Sequence, residues 1–146
     1  MIARELAEES AVLLSNKDKT LPMDFNQYKN ILIIGQDDIT NSPITGGGGS
    51  GRVDASYIQT PVNELAVRLG VETFVSKDNE VQRHCDATGS KCVIYAGGDC
   101  HDPSCIPSNW DWDATLIFVG QNTGEGSDRD TLAFTQETQD MCSSFA

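Results

Sequence analysis

Residues 113–132 change character once, and abruptly. Ala114-Thr-Leu-Ile-Phe-Val119 is an unbroken run of apolar and β-branched side chains. A run without polar alternation is expected of a parallel strand covered on both faces. It leads into Gln121-Asn-Thr-Gly124-Glu-Gly-Ser-Asp-Arg-Asp-Thr-Leu132, which is polar and carries two glycines. Open α/β sheets place their ligand groups on loops just past the carboxyl ends of their strands. Glu125 stands between Gly124 and Gly126. Neither neighbour has a side chain to shield it, so its carboxyl is free to reach into a cleft. Asp128, Arg129 and Asp130 supply charges that can pin the loop. The plain alternative is a surface turn with a solvated acid. The strand that delivers the loop and the charges that follow favour a functional glutamate.

The rest of the chain supplies the frame for that strand. Residues 2–14 place Ala3, Leu6, Ala7, Ser10, Ala11 and Leu14 at helical spacing, which predicts a helix with one face on a core. Ala11-Val-Leu-Leu14 can straighten into a short strand before a turn at Asn16. Leu21-Pro22-Met23 is an extended connector, because proline disfavours helix in the residue before it. Ile31-Leu-Ile-Ile-Gly35 reads as a second parallel strand. Thr60 and Pro61 open a helix as N-cap and first helical residue, and Gly70 closes it. Val62, Leu65, Ala66 and Leu69 are its core face. Further strands are expected over 71–75 and 92–95, a cysteine- and proline-containing loop over 97–111, and a last helix over 135–145. Strands alternating with helices define an α/β fold, a layered sandwich with a mostly parallel sheet flanked by helices. With about four strands and no closing element, residues 1–146 are expected to be one domain truncated from a larger one.

The 146 residues carry 22 acids against 10 bases, a formal charge of −12. That argues against nucleic acid and anionic membrane surfaces, which attract basic patches. No window approaches the 18 apolar residues of a membrane span. The N-terminus lacks the basic start and apolar middle of a signal peptide. Five cysteines (Cys85, Cys92, Cys100, Cys105 and Cys142) leave one over if the others bridge. Cys100 and Cys105, with His84, His101 and Cys85, could make a metal half-site, but the spacing fits no standard zinc pattern. A small disulfide-closed loop is the better reading, and it implies an oxidising compartment. No metal and no cofactor are expected.

Two further features invite function. Gly46-Gly-Gly-Gly-Ser-Gly51 is glycine-rich, yet ten residues separate it from Gly35 and no Gly-Lys-Ser follows. A phosphate cradle is therefore disfavoured, which leaves a flexible surface loop or a loop approached closely by another domain or a sugar. Trp110 and Trp112 flank Asp111; tryptophan can stack on a sugar, but one or both lying as a lid on the sheet is the better reading. Asp37 and Asp38, past the carboxyl end of the Ile31 strand, are lesser candidates for a cleft. His84 and His101 read as structural or solvated.

Six pieces occur in one order: Ala7-Glu-Glu-Ser10-Ala-Val-Leu-Leu-Ser-Asn16, Leu21-Pro22, Ile31-Leu-Ile-Ile-Gly35, the Gly46 run, Thr60-Pro61, and Gly124-Glu-Gly-Ser-Asp-Arg-Asp-Thr-Leu132. Together they resemble the second domain of glycoside hydrolase family 3, the β-glucosidases and β-xylosidases, over nearly the whole chain. The resemblance implies an α/β sandwich packed on a (β/α)8 barrel that supplies an aspartate nucleophile. It implies Glu125 as catalytic acid/base of a retaining β-glycosidase, and Asp128 and Arg129 as the ion pair that shapes its loop. The partner molecule would be a β-linked glycoside, and the compartment extracellular, secretory or vacuolar. Without the barrel the chain is expected to be inert. The family often follows Asp-Arg with Leu-x-Leu-Pro-x-x-Gln, whereas Leu132-Ala-Phe-Thr135-Gln-Glu-Thr-Gln139 lacks the proline. The alternative from another class is a non-catalytic carbohydrate-binding or interaction module of the same fold.

Overall fold

A computed structural model describes residues 2–35, 56–71, 81–97, 100–120 and 129–146. Within them lie α1 (Ile2–Ser10), β1 (Asn30–Gly35), α2 (Pro61–Leu69), β2 (Gln82–Cys85), β3 (Cys92–Ala96), β4 (Ala114–Phe118) and α3 (Gln136–Ser144). The strands form one sheet in the order β2-β3-β1-β4. β1 pairs in parallel with both β3 and β4, while β2 runs antiparallel to β3. The α/β class with a mostly parallel sheet is thus established. The strand expected over 71–75 lies mostly outside the described residues.

Alternation along the strands divides the core into two layers. Ile31, Ile33, Val93 and Tyr95 point to one face, where Val62, Leu65, Ala66 and Leu69 of α2 cover them. Leu32, Ile34, Ile94 and Ala96 point to the other, against Cys100, Ile106 and Met141 of α3. This explains the unbroken apolar sequence of β1 and β3: every residue has a face to fill, and Ile31 to Ile34 are all at 0% exposure.

α2 follows its sequence signals closely. Thr60 accepts from the Asn63 backbone N–H at 3.2 Å, Pro61 occupies the first turn, and Gly70 ends the helix with φ of 73°. α3 is capped the same way, Thr135 accepting from the Thr138 N–H at 3.3 Å. The threonine therefore starts this helix without the family's proline.

Two expectations are corrected. β4 is not fully covered on both faces; Ala114–Phe118 are each half-buried. Among the described residues β4 pairs on one side only, and a cleft of about 400 Å³ lies between its residues 114–116 and residues 15–23. α1 does not turn its apolar face to the core either. Leu6 is 63% exposed, and residues 11–14 continue as an exposed, non-strand segment with Leu14 at 92%. Helical periodicity marks an apolar face without saying which surface covers it.

Candidate functional site

The parallel pairing brings three strand ends together. Ile34 is opposite Ala96, and Gly35 is opposite Phe118. The chain segments that begin at residues 36, 97 and 119 therefore all depart from one carboxyl edge of the sheet. This is the edge where ligand groups gather in open α/β folds. Glu125 and Asp128 fall on residues outside those described, as do Asp37, Asp38 and Gly46 to Gly51. Arg129 is described and exposed, as is Asp130.

The segment that carries Glu125 is rooted at both ends. Upstream, Val119 packs with Ile117 against the Leu32 and Ile34 face. Downstream, Thr131 Oγ1 accepts from the Ala133 N–H at 3.1 Å, and Gln139 Nε2 donates to the Phe134 carbonyl at 2.8 Å. The chain then enters α3 at its Thr135 cap, and α3 buries Met141 in the same layer.

The cysteines are settled by the structure. Cys85 and Cys92 face each other across β2 and β3, with Cα atoms 4.0 Å apart, and are bridged. Cys100 and Cys105 close the small loop that the sequence suggests, and Cys142 is a half-buried free thiol. Four of the five sulfurs are thus held in disulfides rather than offered to a metal. Among the described residues no group of three His, Cys, Asp or Glu side chains is placed to hold an ion. His101 sits 3.5 Å from Glu137, and its carbonyl accepts from Ser144 Oγ at 2.8 Å, so it ties the disulfide loop to α3. Trp110 and Trp112 are half-buried against the second core layer.

Sequence reasoning missed Asp113. One of its carboxylate oxygens accepts from the backbone N–H groups of Lys29 and Asn30, each at 2.8 Å. Its own N–H donates to the Asn30 carbonyl. The Asn30 and Lys29 N–H groups hold its pKa below the usual aspartate value. An aspartate just before a strand carries no local signal of partners more than eighty residues away. Asn16 is a second omission: its amide brackets Leu21, donating to the carbonyl at 2.8 Å and accepting from the N–H at 3.1 Å.

The layers, the strand order and the carboxyl-edge loops define an α/β sandwich of the kind that carries its chemistry on loops. The chain belongs to glycoside hydrolase family 3: the Glycosyl hydrolase family 3 C-terminal domain matches residues 11–146. "Probable beta-glucosidase D" of Emericella nidulans is 26% identical over 153 aligned residues, covering 93% of this chain and 19% of the relative. "Beta-xylosidase" of Formosa agariphila is 28% identical over 133 residues, 89% of this chain and 17% of the relative. "Probable beta-glucosidase I" of Emericella nidulans reaches 45% identity over 69 residues, 46% of this chain and 8% of the relative. The chain thus spans less than a fifth of the length of these relatives. No solved structure matches it at a comparable level. No helix among the described residues is long and apolar enough to cross a membrane.

Proposed function

We propose that this chain is the acid/base-bearing part of a retaining β-glycosidase, with Glu125 as the proton donor and acceptor. The observation that carries the reading is the family match across residues 11–146. The rooting of the 119–135 segment at the carboxyl edge supports it. Relatives named as β-glucosidases and a β-xylosidase suggest a β-linked glycoside as substrate. In this mechanism a barrel aspartate from elsewhere in the full-length protein attacks the anomeric carbon. Glu125 meanwhile protonates the departing glycosidic oxygen. Water then attacks the glycosyl-enzyme ester, and Glu125, now a carboxylate, takes its proton. For the first step the carboxyl must stay protonated near neutral pH, which burial or a neighbouring carboxylate arranges. Asp128 and Arg129 shape the loop as an ion pair. The two disulfides suit an oxidising, secretory or extracellular setting.

The test is hydrolysis of an aryl β-glucoside by the full-length protein, with Glu125→Gln beside the wild type. An activated aryl group leaves with little acid help, so the defect should fall on deglycosylation. Turnover is expected to drop by about 10²–10⁴. Azide needs no base, so it should restore turnover and yield glycosyl azide. A variant as active as wild type would sink this reading and favour the non-catalytic module.

A further inference from the structure

The link from β3 to β4 crosses over β1, and its described part contains no α-helix. Parallel strands are usually joined by a crossover helix, which also covers the sheet. Here the link adds to the cover from α3 only a short 3₁₀ turn at Pro103–Cys105, the Cys100–Cys105 bridge, and the stretch that ends in Trp110-Asp-Trp112. Asp102 caps that turn, accepting from the Ser104 N–H at 2.7 Å. Such a thin cover leaves space. A cavity of about 780 Å³ lies against it, with Ser108, Trp110, Asp111 and Trp112 in its wall. Small-molecule sites typically occupy about 300–1,000 Å³.

The chemistry of the wall narrows the ligand. Trp110 and Trp112 pack part of their surface on the Leu32 and Ile34 layer and line the cavity with the rest. They are therefore both lid and lining. The Arg83 guanidinium lies over the Trp110 ring, 5.8 Å from its centroid, and steadies one face of it. Asp111, exposed and between the two tryptophans in sequence, offers an acceptor to the cavity, and Ser108 offers a hydroxyl. Indole faces favour the C–H face of a pyranose, and a carboxylate accepts from its hydroxyls. The formal charge of −12 disfavours an anionic ligand. An apolar ligand would strip water from Asp111 without replacing its hydrogen bonds. A neutral, polyhydroxylated chain satisfies all of these groups.

We infer that the Trp110-Asp111-Trp112 cavity binds a neutral oligosaccharide. Its residues precede β4, whereas Glu125 follows it, and the inference does not require Glu125 to be catalytic. The test is gel retardation of the full-length protein by hydroxyethyl cellulose and, separately, by a neutral xylan, comparing wild type, Asp111→Ala and Trp112→Ala. The wild type should be retarded by at least one polymer. Each variant should bind that polymer about fivefold or more weakly. Thermal unfolding of each variant reads the fold. Trp112 also packs on the core, so Asp111→Ala, whose side chain is exposed, carries the test if Trp112→Ala melts early. No retardation by either polymer, or retardation of Asp111→Ala equal to wild type, overturns the inference. A failed Glu125→Gln experiment would leave these gels unchanged, so the two readings fail separately.

Discussion

Asp113 joins parts of the sheet that are 83 and 84 residues apart in the chain. Its carboxylate takes two backbone N–H groups that β1 leaves without a strand partner at its start. Asp113→Ala is expected to destabilise by about 1 kcal/mol at neutral pH, a value kept low by exposure to solvent. The sign of the pH dependence follows from the lowered pKa. Stability from this group is present in full above the unfolded aspartate value, about 3.9, and is lost as pH falls through the folded value. Urea unfolding should therefore separate wild type from Asp113→Ala at pH 7, and the gap should close as pH falls below the unfolded aspartate value and through the lowered folded one. A gap that stays constant with pH would mean the carboxylate is not what holds β1 to β4.

At the scale of elements, α2 shows how local chemistry sets boundaries. Thr60 and Gly70 each act on the helix backbone, one by accepting the Asn63 N–H with its Oγ1 and the other by adopting φ of 73°. Thr60→Ala should cost about 1 kcal/mol. A Cβ added at Gly70 meets nothing within 4 Å, so Gly70→Ala should cost about 1 kcal/mol from the left-handed backbone alone. Asparagine tolerates that backbone better, so Gly70→Asn should lie between glycine and alanine in thermal midpoint. An alanine variant as stable as wild type would mean the cap relaxes. Elements specified in this local way were legible in the sequence: α2, α3, β1 and β3 lie where caps and apolar runs put them. β2 was not, because Gln82-Arg-His-Cys85 is short and polar, and its pairing with β3 is closed by the Cys85–Cys92 bridge. The face of α1 was read correctly as apolar and wrongly as buried, since covering it takes a surface the pattern does not name. In the candidate site, the Cys100–Cys105 loop was visible as a motif. The wall that its folding builds with Trp110 and Trp112 was not, because it depends on a β3–β4 link whose described residues form no α-helix.

On the scale of the whole molecule, the proposed reading divides the chemistry between this chain and another part of the full-length protein. Retaining hydrolysis needs two carboxyl groups about 5 Å apart, one to protonate and one to attack. On the proposed reading Glu125 fills the first role and an aspartate from the barrel fills the second. The 146-residue chain alone should then show no turnover of an aryl β-glucoside above the buffer rate, although Glu125 is intact. Azide distinguishes this failure from the one caused by Glu125→Gln. In the full-length variant the nucleophile still forms a glycosyl-enzyme, so azide has an intermediate to intercept. In the isolated chain no glycosyl-enzyme forms, and azide should change nothing. Mass spectrometry with a 2-fluoro glycoside gives the same contrast without turnover. The full-length protein should gain the mass of one glycosyl group, and the isolated chain should gain none. Labelling of the isolated chain would place a nucleophile among these 146 residues and overturn the division of roles between the two domains.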